Sequence, residues 1–194
     1  MTLADKVTSL RLILAPLFFA IYLLPRFLPD AIGVSPLWIV IVLWFIFIIS
    51  EFTDFLDGWL ARKRGEVSDF GKLYDPFADT LTQLTYFFCF VVDGILPAIL
   101  FLLVIYREFG ILFIRNLMLR KGIALGARIG GKIKTVTYIL AVACALLASS
   151  ALRLGLEGSI YRVLATVACV IFLISVIISA ISFFDYVSIY KNKK

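Results

Sequence analysis

Apolar runs of about 20 residues recur six times along this chain, each bounded by short clusters of charge. A run of that length is what a helix needs to cross a hydrocarbon core about 30 Å thick. The pattern rules out a water-soluble fold. Of the 194 residues, 62% are hydrophobic and 16% charged, against about 45–50% apolar in soluble domains even with glycine counted. Spans are predicted at 10–29, 36–57, 75–93, 95–119, 132–152 and 160–187. They leave only short connections, so residues 1–194 read as one membrane domain with no separate soluble part. All six are expected to be helices, because an open sheet edge in lipid would strand backbone polar groups and no ten-residue alternation suggests a barrel. The expected fold class is therefore all-α integral membrane, a six-transmembrane-helix bundle. Pro25 and Pro29 are expected to end the first span, and Asp93, Gly94 and Pro97 to turn the chain between the third and fourth.

Orientation follows from the cations. With the N-terminus in the cytoplasm, 15 of the 19 Lys and Arg fall on that side, three (Arg26, Arg153, Arg162) fall outside and Arg107 lies within a span. This asymmetry predicts that both termini are cytoplasmic and that the protein is multi-pass. No small-residue cleavage site follows the first apolar stretch, so it is expected to be retained rather than removed as a signal peptide. The chain contains no His, which excludes Ser-His relays and imidazole-ligated metals. Cys89, Cys144 and Cys169 lie far apart within apolar stretches and are expected to serve as small buried hydrophobes.

The stretch DFLDGWLARKRGEVSDFGKLYDPFAD, residues 54–79, carries the chemistry. Asp54 and Asp57 are three apart near the end of the second span, and Asp75 and Asp79 are four apart at the start of the third. Each pair therefore projects from one helical face. With 17 residues between the pairs, the two spans are expected to be antiparallel neighbours and the four carboxylates to meet at one depth. Two carboxylates about 5 Å apart repel by roughly 3 kcal/mol at an effective dielectric of 20. A quartet near the membrane surface therefore demands cations. Arg62 could offset one charge, whereas divalent ions bridge several carboxylates at once. Hard oxygen donors favour Mg²⁺ or Mn²⁺ over Zn²⁺, iron or copper. Gly58, Ala61 and Gly71 leave little side chain on this face, which either opens a pocket or allows close helix packing.

Written as a pattern, Asp54, Asp57, Gly58, Ala61, Arg62, Gly71, Asp75 and Asp79 form D-x2-D-G-x2-A-R-x8-G-x3-D-x3-D, which resembles the signature of the CDP-alcohol phosphotransferase family. The resemblance implies a cytoplasm-facing active site that binds a CDP-linked lipid and a hydroxyl acceptor. By that similarity Asp54, Asp57 and Asp75 hold two divalent metal ions, with Asp79 contributing a ligand oxygen and acting as general base. Gly58, Ala61, Arg62, Ser68 and Gly71 are assigned by the same similarity to the CDP-lipid side, although Ser68 serves equally well as a helix cap. Metal ions bridging a diphosphate and stabilising departing CMP remove the need for a protein nucleophile, which suits a chain without His.

The acceptor is read from the basic residues. Arg107 and Arg115 are eight apart with Ile111 between them, on one face of the fourth span, and Arg128, Lys132 and Lys134 follow. A charge within a membrane span is expensive and functional by default, although Glu108 or a signature Asp could pair with Arg107. Together these cations suit an acceptor that carries its own phosphate. The strings REF followed by Arg115, GKIKT at Gly131–Thr135 and DPFAD at Asp75–Asp79 resemble the phosphatidylglycerophosphate synthase branch, which uses CDP-diacylglycerol and glycerol 3-phosphate. Thr80 departs from that branch, where Lys is common. Inositol phosphate, then serine, are the alternative acceptors, and a small cation transporter is the alternative of another class. A carrier places its ion site near the midplane, whereas these Asp fall at span ends. The expected setting is a bacterial inner membrane among its lipids, with no nucleic acid partner. A homodimer is possible by resemblance, since many family members are dimers.

Overall fold

The computed structural model describes residues 3–27, 35–64, 71–120 and 129–192. Among the described residues there are six α-helices and no strands: α1 (Leu3–Phe27), α2 (Pro36–Arg64), α3 (Gly71–Val92), α4 (Ala98–Arg120), α5 (Ile129–Arg153) and α6 (Ser159–Asn192). Four contain stretches long and apolar enough to cross a membrane: Lys6–Phe27, Pro36–Asp54, Gly130–Arg153 and Ser159–Ser188. The other two are α3 and α4. They are 22 and 23 residues long, about 33 Å at 1.5 Å per residue, but carry polar residues in their interiors. In α4 these include Arg107, Glu108, Arg115 and Asn116, and in α3 Asp79, Thr80, Thr82, Gln83 and Thr85. Length alone therefore does not decide whether these two span.

The distribution of side chains is that of a multi-pass membrane protein. Large apolar groups such as Ile13, Trp38, Phe45, Phe113, Ile181 and Phe184 are exposed, while Arg11, Ser50, Glu108, Lys134, Ser175 and Ser179 are buried. In water this arrangement would expose apolar surface and bury polar groups at great cost, whereas in lipid it turns these apolar groups toward the hydrocarbon and these polar groups away from it.

The chain divides into two compact units, Met1–Cys89 with Arg153–Gly155, and Phe90–Leu152 with Leu156–Lys194. In the first, α1 packs along α2, and an aromatic cluster ties α3 to both. Tyr86 of α3 meets Phe18 of α1 edge-on at 4.6 Å between ring centroids and Phe47 of α2 at 5.9 Å. Arg153 lies over the Tyr22 ring and donates to the Tyr22 carbonyl at 2.9 Å. In the second, α4 packs along α6, and Ser175 of α6 donates to the Thr137 carbonyl of α5 at 3.0 Å.

The turn after α3 forms as expected. Gly94 has φ +71°, its N–H reaches the Val91 carbonyl, and the Ile95 N–H reaches the Phe90 carbonyl. This is a Schellman cap, which needs the left-handed conformation that glycine adopts without penalty. Pro25 differs from expectation. It lies inside α1, in the last turn before Phe27, where it costs the helix one hydrogen bond, to the Ile21 carbonyl, and does not end it at once. Pro29 lies outside the described residues. Of the cysteines, Cys89 is buried as expected, and Cys144 and Cys169 are half-buried.

Candidate active site

The acidic site is built in the first unit by three helices. Asp54 closes the apolar stretch of α2, and Asp75 and Asp79 lie on the first turns of α3. What brings them together is α1. The Arg11 guanidinium donates through Nη1 to Oδ1 of Asp54 and to Oδ1 of Asp79. Thr8, one turn earlier on α1, donates to Oδ1 of Asp75 at 2.9 Å, and Ser9 pairs with the Tyr74 hydroxyl at 2.9 Å. Glu51, one turn before Asp54 on α2, lies within electrostatic reach of both Asp54 and Arg11. The α2 carboxylate Asp54 and the α3 carboxylate Asp79 thus converge on one side chain of α1.

Sequence reasoning missed Arg11 and Thr8. It counted Arg11 among the cations that set topology. A readable signal exists, since Arg11 sits in the otherwise apolar string SLRLILAP, and a charge embedded there calls for a partner. The structure leaves Arg11 2% exposed, with its side chain surrounded by protein.

Asp57, Gly58, Ala61 and Arg62 lie on the last turns of α2, but their side chains are outside the described residues. Ser68 is outside them altogether. Gly71 is buried and begins α3, and Thr80 is buried one residue beyond Asp79. Among the described residues no three His, Cys, Asp or Glu side chains gather as a ready cage for a metal. The residues nevertheless fit a hard divalent cation by their chemistry, because carboxylate oxygens of two helices, Oδ1 of Asp54 and of Asp79, converge on one point. The donors on offer are carboxylate and hydroxyl oxygens, the set that Mg²⁺ or Mn²⁺ takes.

The basic residues lie in the second unit. Arg107 and Arg115 share a face of α4 as their spacing predicts, and both meet α6. Arg107 donates from Nε to the Ser179 carbonyl at 3.2 Å and from Nη2 to the Ser182 hydroxyl at 3.4 Å. Arg115 approaches the Tyr186 hydroxyl at 3.5 Å and lies against that ring, while its buried Nε has no hydrogen-bond partner. Glu108 is the hub that sequence reasoning offered only as an alternative partner of Arg107. It accepts from Arg107 Nη1 at 2.9 Å and from Lys134 Nζ at 3.1 and 3.3 Å. Lys134 is buried and also lies over the Tyr138 ring, 4.6 Å from its centroid. The Tyr138 hydroxyl in turn donates to Ser179 Oγ at 2.9 Å. Two cations, Arg107 and Lys134, thus share the Glu108 carboxylate. Lys132 is exposed, and Arg128 is outside the described residues.

Helix approach here depends on small residues. At Gly110 an added Cβ would lie 2.8 Å from Cε2 of Phe183, and at Gly131 it would lie 3.7 Å from the Tyr186 hydroxyl. The first allows α4 to lie close against α6, which is what brings Arg107 within reach of Ser179 and Ser182.

Comparison with known proteins agrees with this organisation. The chain is 40% identical over 191 residues to the CDP-diacylglycerol–glycerol-3-phosphate 3-phosphatidyltransferase of Treponema pallidum, covering 96% of this chain and 88% of that protein. It is 35% identical over 151 residues to the protein of the same name from Bacillus subtilis, covering 75% and 76% of the two chains. The family model described as CDP-alcohol phosphatidyltransferase matches residues 1–184, a family generally dependent on divalent metal ions. The eight-position pattern on α2 and α3, the absence of His and a match over nearly the whole length lead to one assignment: this chain belongs to the CDP-alcohol phosphatidyltransferase family.

Proposed function

We propose that the protein is a phosphatidyltransferase that moves the phosphatidyl group of CDP-diacylglycerol to glycerol 3-phosphate, giving phosphatidylglycerophosphate and CMP. The observation that carries the reading is the convergence of Asp54 and Asp79, two members of the family pattern from different helices, on one cationic atom. The names of the relatives from Treponema pallidum and Bacillus subtilis support both substrates. Residues 1–194 act as a single catalytic domain, with all six helices crossing the bacterial inner membrane, both termini in the cytoplasm and the acidic site facing the same side.

In this reading Asp54, Asp57, Asp75 and Asp79 hold two divalent ions, Mg²⁺ or Mn²⁺. When bound, such ions neutralise diphosphate oxygens and stabilise the CMP that leaves. Gly58, Ala61, Arg62, Ser68 and Gly71 receive the CDP portion of the lipid. Asp79 takes the proton of the acceptor hydroxyl as its oxygen bonds to phosphorus and the bond to CMP breaks, so charge is passed on without a covalent enzyme intermediate. Arg107, Arg115, Arg128, Lys132 and Lys134 bind the acceptor's phosphate. The Nε of Arg115, which has no hydrogen-bond partner, supports this role, because a buried donor is satisfied by an anionic oxygen. A second copy of the chain is a candidate partner.

The test is purified protein in detergent with CDP-diacylglycerol, offered glycerol 3-phosphate, inositol phosphate and serine in turn. CMP release is expected with glycerol 3-phosphate, to stop with EDTA and to return with added Mg²⁺ or Mn²⁺. Turnover with inositol phosphate or serine alone would move the assignment to another acceptor.

A further inference from the structure

Arginine carries several donors and can join more than one carboxylate. In Arg11 the nitrogen Nη1 is shared between Oδ1 of Asp54 on α2 and Oδ1 of Asp79 on α3. One atom between oxygens of two helices is the geometry of a bridging ion. The side chain that delivers it is 3% exposed, whereas the Asp54 and Asp79 side chains are 36% and 38% exposed. The carboxylates are therefore reachable from outside while the cation that joins them is held from within. Asp75 is meanwhile held by Thr8, one turn from Arg11 on the same helix, so α1 presents a donor to each of the three described Asp of the pattern.

We infer that Arg11 is a built-in counter-cation which occupies the carboxylate site of the metal-free protein and is exchanged for a divalent ion on loading. It acts through Asp54 and Asp79 and is a positioning residue. It keeps two carboxylates from different helices assembled when no ion is bound, and it competes with the ion for the same oxygens. Resting affinity for metal is thereby lowered, and the site is preformed. The inference rests on the metal reading given above for the same carboxylates.

The test measures metal binding without either substrate. Full-length protein in detergent, stripped with EDTA, is titrated with Mn²⁺ and the free ion is followed by electron paramagnetic resonance, for the wild type, Arg11→Met and Arg11→Lys. Arg11→Met is expected to bind Mn²⁺ about tenfold more tightly, and its metal-free thermal midpoint is expected to fall below that of the wild type and to recover on Mn²⁺ addition. Arg11→Lys keeps the charge, and so the folded state, but binds as a point charge on a different tether; its affinity is expected to lie between the two. Unchanged or weaker Mn²⁺ binding in Arg11→Lys and in any folded Arg11→Met overturns the exchange and leaves the metal site standing. No Mn²⁺ binding by the wild type overturns the metal reading and the exchange with it.

Discussion

Lys134 of α5 donates to both carboxylate oxygens of Glu108 of α4, at 3.1 and 3.3 Å. Glu108 has only 4% of its side chain exposed, and Arg107 completes a cation–carboxylate–cation group around it. Removing one member of a buried ion pair costs about 3–5 kcal/mol, because the partners are left charged and unmatched. Glu108→Gln is expected to destabilise the protein within that range, read as a lowered midpoint in thermal unfolding in detergent. A midpoint equal to that of the wild type would mean that the group contributes nothing net.

Asp79 is the residue assigned to remove the acceptor proton. General base catalysis contributes about 10²–10⁴-fold, so Asp79→Asn is expected to lower kcat for CMP release by at least that much. Because Asn keeps the shape and still accepts a hydrogen bond from Arg11, the folded state is expected to persist, as checked by its elution in size-exclusion chromatography. Near wild-type turnover in this variant would remove Asp79 from the chemistry.

Arg115 separates donor from acceptor binding. Its Nε is buried with no hydrogen-bond partner, and its contact with the Tyr186 hydroxyl is long at 3.5 Å. A hydrogen bond to a charged group is worth about 1.5–3 kcal/mol, or roughly 10- to 150-fold in affinity. Arg115→Ala is expected to raise KM for glycerol 3-phosphate within that range and to leave KM for CDP-diacylglycerol nearly unchanged, in steady-state assays that vary one substrate at a time. Equal changes in the two constants would argue against a role at the acceptor.

Gly110 tests the packing that carries Arg107. Even a Cβ there would lie 2.8 Å from Phe183, and overpacking typically costs about 1–3 kcal/mol. Gly110→Leu is expected to lower thermal stability, with partial recovery in the Gly110→Leu/Phe183→Ala double variant. Additive losses in the double variant would show that the two residues do not share that space.

The helical fold was legible because its cause is local. A run of about 20 apolar residues in lipid has few ways to satisfy its backbone other than a helix, and all six helices overlap the runs read from the sequence. That Asp75 and Asp79 share a face, turned toward α1, was legible for the same reason, since helical periodicity fixes which neighbours share a face. The Gly94 turn was also readable, because the left-handed backbone it requires selects for glycine. Arg107 and Arg115 could be placed on one face by counting, but not against Ser179, Ser182 and Tyr186, which lie some 70 positions away.

What the sequence by itself determined, then, is a membrane-embedded set of helices and a pattern of acidic residues that needs cations. Only the tertiary structure decided which cation answers which carboxylate. Arg11 is 43 residues from Asp54 and 68 from Asp79, and Lys134 is 26 from Glu108. Periodicity carries information over a few turns, whereas the match between two charges brought together by separate helices depends on how those helices pack. In a low-dielectric interior that match is also where electrostatic energy is largest. The residues least visible in the sequence, Arg11 and Glu108, are for that reason the ones that organise the two charged groups of the folded chain.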